Sequence, residues 1–277
     1  MAAKKAATAK AAASSSGSRF KGTGTKRVAN RLITIYGVPK TRKTGSVSTL
    51  PVGRTKWIAV DPNCIATLDA LDRLPHEDDI HEFNSLQEVL MFTNQLRDAV
   101  DAGEDLGFDY LVLDSITQLS NWHQQVVAKE TTQRYLGEQA GAGWQQFNAD
   151  MGALLDNLAA LTRYITVVVI GHMKESAFKK KGTYATLSLP PAMAERLAQL
   201  SNWILYKTFE EKLDIEDPNF EGDEYISVEM NNGEKKFYES VLWTKPLGTI
   251  VASVNSLKLK TQEPGDLWAL MQKAGLA

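Results

Sequence analysis

An α/β fold, with a mostly parallel central sheet covered by helices, is predicted by three observations. Three solidly apolar runs, Leu32–Tyr36, Tyr110–Leu113 and Ile165–Ile170, have the continuous character of strands buried on both faces. Amphipathic stretches of helical period separate them. Each run also ends in residues unlike itself, Gly37, Asp114 and Gly171-His172, at the carboxyl ends of the strands, where open α/β sheets place their ligands.

The 277 residues suit one large domain with appendages, and 43% apolar content can bury a substantial core. No apolar run approaches the 18 or so residues of a membrane span, and the N-terminus lacks the apolar middle of a secretory signal. A single cysteine, Cys64, excludes an internal disulfide and fits a reducing cytoplasm. The net charge of −2 hides a split: residues 1–30 hold seven Lys or Arg and no acid, whereas the rest holds 24 basic and 33 acidic residues. The first 24 residues are Ala, Lys, Ser, Thr and Gly with little else, too polar to fold alone. Residues 1–30 therefore read as a disordered basic arm, a solubilising tail or a transient contact for phosphate backbones, ahead of a domain over 31–277.

Along that domain, Thr44–Leu50 starts a short helix that Pro51 and Gly53 end. Trp57–Val60 is a buried strand running into Asp61-Pro62-Asn63. Ser85 and Glu88 form a capping box, after which Leu86, Val89, Leu90, Leu96 and Val100 repeat at helical spacing up to Gly103. Residues 117–143 are polar and less regular. From Trp144 to Leu161 one apolar face, including Phe147, Met151, Leu154 and Leu158, marks a strong core-packing helix. The third strand, Ile165–Ile170, is expected to end at Gly171-His172. Residues 202–260 are β-rich: Trp203–Phe209, Tyr225–Met230 and Phe237–Thr244 read as strands, the last two joined around the hairpin signal Asn232-Gly233. Ile250–Val254 adds one more strand, and Asp266–Ala274 closes the chain as a helix.

Gly37-Val38-Pro39-Lys40-Thr41-Arg42-Lys43-Thr44 nearly spells a phosphate-binding loop, which runs Gly, four residues, Gly, Lys, then Ser or Thr. In such a loop successive N–H groups cradle phosphate, the lysine reaches its oxygens, and the hydroxyl helps hold Mg²⁺. The departure is Arg42 in place of the second glycine, which often gives the loop its backbone freedom. Seventy residues beyond Thr44, Asp114 ends an apolar strand as the carboxylate of a second nucleotide motif would, supporting Mg²⁺; the bland alternative is a strand-end cap. His172 at the end of the next strand is a candidate γ-phosphate sensor, or else a hydrogen-bonded rim histidine. Beyond it, Lys174, Lys179, Lys180, Lys181 and Tyr184 suit a mobile loop that grips phosphates and stacks a base, or simply a solvated lysine run.

The residues Tyr36–Thr44, Tyr110–Ser115, the Trp144 helix, Val167–Glu175, Leu189–Ala194, Leu200–Tyr206 and Trp243–Pro246, in that order, resemble the RecA-like phage nucleotide-binding ATPases, a P-loop family that includes phage single-strand annealing and recombination proteins. The likeness covers roughly residues 30–275. It implies a RecA-like core using ATP and Mg²⁺, with Gly37–Thr44 holding the nucleotide, Thr44 and Asp114 the metal, and Lys43, Asp61, Asp114 and His172 serving catalysis. It also implies DNA-binding loops after the His172 strand and across 120–143, single-stranded DNA as partner, assembly into a ring or filament, and a single-strand binding protein as a further partner. Two more departures follow. Asn63 stands where such families carry a catalytic glutamate, and an amide cannot accept a proton. The C-terminal basic pair reads Ser253-Val254-Asn255, leaving Lys245, Lys258 or Lys260 to supply a cation to a neighbour. These departures weaken hydrolysis more than binding. Two readings result: an ATPase acting on single-stranded DNA in phage recombination or replication, or a degenerate P-loop scaffold that contacts DNA or protein with little turnover, Arg42 filling the phosphate site. A nucleotide kinase is disfavoured because no arginine-rich lid is present.

Overall fold

The computed structural model describes residues 31–138, 141–178, 182–212, 225–229, 235–246, 252–254 and 258–276. Its strands are β1 (Leu32–Gly37), β2 (Thr55–Ala59), β3 (Ile80–Glu82), β4 (Tyr110–Asp114), β5 (Thr166–Phe178), β6 (Gly182–Leu187), β7 (Trp203–Lys212), β8 (Tyr225–Glu229), β9 (Lys235–Trp243), β10 (Ser253–Val254) and β11 (Gln262–Pro264). The helices are α1 (Lys43–Val47), α2 (Asn63–Ala70), α3 (Leu86–Asp101), α4 (Ile116–Glu130), α5 (Ala142–Leu161), α6 (Pro191–Leu200) and α7 (Leu267–Ala274).

Strands β7, β1, β5, β4, β2 and β3 lie side by side in that order and all run parallel. Strands β9 and β11 extend the β7 side antiparallel, with β8 on β9 and β10 on β7. The β1 and β4 strands, which carry the two nucleotide motifs, are thus separated by β5.

Alternate residues of the central strands feed two cores. Leu32, Tyr36, Ile58, Leu111, Leu113, Val167 and Val169 pack with α3, α4, α5 and α6 on one face. Ile33, Ile35, Trp57, Val112, Val168 and Ile170 pack with α1, α2 and α7 on the other. The period-2 alternation sends successive side chains to opposite faces, so a continuous apolar run is needed where both are covered. Helix α3 starts as its capping box predicts: Ser85 Oγ accepts from Glu88 N–H at 3.2 Å, and the Glu88 carboxylate reaches back to Asn84 N–H at 2.9 Å, one residue earlier than the ideal box.

Three sequence expectations need correction. Residues 117–143 are not irregular throughout, because Ile116–Glu130 is helical and buries Ile116, Leu119, Ser120, His123 and Val127. The helical spacing of that set was hidden by its polar members, Ser120 and His123. Among the described residues, the part of that stretch outside helices is 131–138 and 141. Nor does the third central strand end at His172. It continues to Phe178 and folds back as an antiparallel hairpin with β6, from Met173↔Leu187 to Phe178↔Gly182, so the segment expected to be a loop is laddered up to its tip. Finally, α2, α6, β3 and β11 are present although no pattern announced them as elements. The turn around Asn232-Gly233 and the basic arm of residues 1–30 lie outside the described residues.

Candidate phosphate-loop site

The site forms where the parallel strands stop. Register places Gly37 beside His172 on β5 and beside Lys207 on β7, while Asp114 pairs with Ile170 and with Ala59. The glycine at position 37 is a packing requirement: a Cβ there would lie 2.1 Å from the Lys207 carbonyl oxygen.

From Gly37 the chain turns through Val38–Thr41 into α1. Arg42, just before the helix, has φ 54° and ψ 38°, the left-handed conformation that the missing glycine would adopt without strain. Lys40 is also left-handed, with φ 66°. The loop thus keeps a glycine-like backbone at position 42 while carrying an exposed arginine. Thr41 Oγ1 donates to Val38 O at 2.8 Å, and both Ser46 N–H and Ser46 Oγ donate to Arg42 O, at 2.9 and 3.0 Å. Lys43 folds inward, its Nζ donating to Val38 O at 2.8 Å and Gly37 O at 3.3 Å. Burial pushes its amine down to about 8, partly opposed by the Asp114 and Asp61 carboxylates.

Thr44 Oγ1 donates to Asp114 Oδ2 at 2.6 Å, so the two metal candidates named from sequence meet directly. Asp114 is buried, and desolvation raises its pKa; the Thr44 hydroxyl and the Lys43 charge oppose that rise, whereas the Asp61 charge adds to it. Asp61 sits just past β2, with both its own N–H and that of Val60 bonded to Asp114 O. Its carboxylate faces His172, Nε2 standing 3.8 Å from Oδ2, and accepts at 2.9 Å from both the backbone and side-chain N–H groups of Asn63. The imidazole first, and the Asn63 donors with it, hold the Asp61 carboxyl down to about 2. An acid so weakly basic is a charge for orienting and attracting, not a proton acceptor at neutral pH. His172 N–H donates to Thr117 Oγ1 at 3.0 Å, while its buried Nδ1 has no partner among the described residues.

Thr44, Asp114 and the adjacent Asp61 present hard oxygen atoms, which suit Mg²⁺. Among the described residues no cluster of three or more His, Cys, Asp or Glu could hold a metal by itself. One hydroxyl and two carboxylates supply few ligands, so a cation held by them would complete its shell with phosphate oxygens and water, as Mg²⁺ does. When bound, such an ion neutralises charge on the phosphates.

Lys43, Thr44, Asp61, Asp114 and His172 thus converge on one strand-end crevice, together with Gly37–Arg42. The candidate nucleic-acid residues do not all follow. Lys174 Nζ donates to Leu189 O, which ties the hairpin base to the start of α6, and burial lowers its pKa. Tyr184 lies on β6 paired with Ser176, and Lys179, Lys180 and Lys181 lie outside the described residues. Ser253 and Val254 form β10 against β7, while Lys245, Lys258 and Lys260 are exposed. Sequence reasoning passed over Thr117, which no short pattern marks, and Lys207, fully buried beside Gly37. Lys207 could have been noticed as a charge closing the run Trp203–Tyr206.

Among the described residues no helix is long and apolar enough to cross a membrane. A comparison with curated proteins returns no match. The model of the AAA domain family (AAA_24) matches residues 29–252, taking in every element from β1 to β9 and each residue of the crevice. With the phosphate loop, the Asp114 strand end and the parallel sheet as its framework, the chain belongs to this AAA domain family of P-loop ATPases.

Proposed function

We propose that the chain binds ATP with Mg²⁺ at the Gly37–Thr44 loop, hydrolyses it slowly, and acts on single-stranded DNA in phage recombination or replication, as a RecA-like homo-oligomer. The observation that carries the nucleotide part is the 2.6 Å bond from Thr44 to Asp114, with the Lys43 amine in the same crevice. That bond joins two separate motifs seventy residues apart, which supports a shared role in holding a metal–nucleotide complex. Lys43 would exchange its loop carbonyls for phosphate oxygens, and the phosphate charge would raise its lowered pKa. Thr44 and Asp114 would hold the metal; Asp61 and His172 would orient the terminal phosphate.

Slow turnover follows from Asn63 and from the low basicity of Asp61. Losing a water-activating base costs a factor of about 10²–10⁴. The single-stranded DNA part is supported by the β5–β6 hairpin. In the sequence Lys179–Lys181 follow directly on β5, the strand that carries His172, and a basic run there suits contact with phosphates.

An ATPase assay with and without single-stranded DNA, on the wild type and Lys43→Ala, tests the reading. Activity stimulated by DNA and abolished in the variant is expected; failure to bind single strands at low salt with any nucleotide removes the DNA part. A scaffold with little turnover is favoured by one observation, the Asn63 amide committed to Asp61. Sub-millimolar ATP affinity that is lost in Lys43→Ala, together with turnover, would exclude it.

A further inference from the structure

Both ends of the phosphate loop are anchored to one short corner near the C-terminus, Gly265–Trp268, which lies beyond the residues matched to the family. At the entrance, Gly37 packs on the Lys207 backbone, and the Lys207 side chain, 0% exposed, donates Nζ to Gly265 O at 3.1 Å. The fit is close: a Cβ on Gly265 would lie 2.0 Å from Lys207 Nζ and 2.9 Å from Ser240 O. At the exit, a relay runs back from the left-handed residue. Arg42 O accepts from Ser46, Ser46 O accepts from Thr49 Oγ1 at 2.8 Å, and Thr49 Oγ1 accepts from Trp268 N–H at 3.2 Å.

The last of these bonds matters for α7. The N–H groups in a helix's first turn have no partner within the helix. In α7 the cap Asp266 takes Ala269 N–H at 3.0 Å, and Trp268 N–H is taken by Thr49 of the neighbouring segment after α1. One N–H at the start of α7 is therefore satisfied by the segment that follows the phosphate-loop helix. The Trp268 ring adds an edge-on contact with Tyr110 at 5.9 Å, and the Lys273–Glu263 ion pair fastens α7 to β11.

We propose that the Gly265–Trp268 corner is a clamp on the phosphate loop, so that nucleotide in the loop and order in α7 are coupled. The inference rests on the nucleotide reading given above. A ligand that fixes Arg42 and α1 fixes the acceptor of the Trp268 amide; by linkage, anything that loosens α7 weakens nucleotide binding by the same factor.

The test is hydrogen exchange on the full chain with and without Mg²⁺ and the imido-bridged, non-hydrolysable analogue of ATP, alongside calorimetric titration of the same analogue. Binding with exchange in residues 262–274 slowed by about five-fold, the worth of one ordinary hydrogen bond, is expected. Thr49→Val keeps the shape and removes the acceptor: it should weaken binding by about five-fold and abolish the protection, and Thr49→Ser should restore both. If Thr49→Val does not fold, Lys207→Met probes the entrance arm by the same readouts. Binding of the analogue with unchanged exchange in 262–274, or full protection and affinity in the folded variant, overturns the clamp. No binding at all by calorimetry defeats the nucleotide reading, and the clamp falls with it.

Discussion

Arg42 offers the sharpest test because its backbone and its side chain make opposite predictions. With φ 54° and ψ 38°, it holds a conformation that costs an L-residue about 1–2 kcal/mol and glycine almost nothing. Glycine gives back part of that gain through greater freedom of the unfolded chain, about 0.4–1 kcal/mol. Arg42→Gly should therefore be more stable than Arg42→Ala by about 0.5–1 kcal/mol, since both variants lack the guanidinium and differ only at the backbone. For a domain of this size that is about 1–4 °C in Tm. Thermal unfolding of the two variants by circular dichroism, each at several scan rates, reads the difference. Alanine equal to or above glycine would refute the claim that position 42 keeps a glycine's conformation. In the ATPase assay Arg42→Gly should retain or exceed wild-type activity; a large loss in both variants would assign the guanidinium a positive role at the phosphate.

Further outcomes follow from the charges of the crevice and the hairpin. The Asp61 carboxyl is held down to about 2, below its ordinary value of 3.8, so the stability it contributes is present above the ordinary value and lost as pH falls toward 2. His172→Ala should move that titration upward, read from the carboxyl carbon shift; a carboxyl still titrating near 2 would show that His172 is not the cause. Lys43, lowered to about 8 against 10.5 when unfolded, is the reverse case for a base: between those values the unfolded chain binds more protons, so ligand-free stability should rise with pH there. Urea titrations across that range should show a shallower rise in Lys43→Met, and parallel curves would contradict the burial argument. Replacing Lys179, Lys180 and Lys181 together with alanine should flatten the salt dependence of single-strand binding by about two units in log–log slope, at about 0.7 for each phosphate no longer neutralised. An unchanged slope would place the DNA elsewhere.

Much of this was legible in the sequence because the signals are local. The strands at Leu32, Tyr110 and Thr166 declare themselves as apolar runs, and the capping box at Ser85 works through side chains three residues apart. Helix α4 was missed because a buried histidine and serine on its inner face look polar in a sequence, although His123 bonds Asp150 at 2.8 Å. The length of β5 was missed for a related reason. Beyond His172 the strand leaves the central sheet, and its residues need no apolar pattern to pair with β6.

Local pattern is enough to announce a phosphate-type loop and a strand-end aspartate, in the right order, on an α/β chain. The folded chain is needed to see that Thr44 and Asp114 meet, that Arg42 takes a glycine's backbone, that His172 and Asn63 flank Asp61, and that Gly265 and Trp268 brace the loop from more than two hundred residues away. The reason is physical. Propensity and period act over a few residues, whereas a pKa, a left-handed φ or a bond across a sheet depends on what the fold packs beside it.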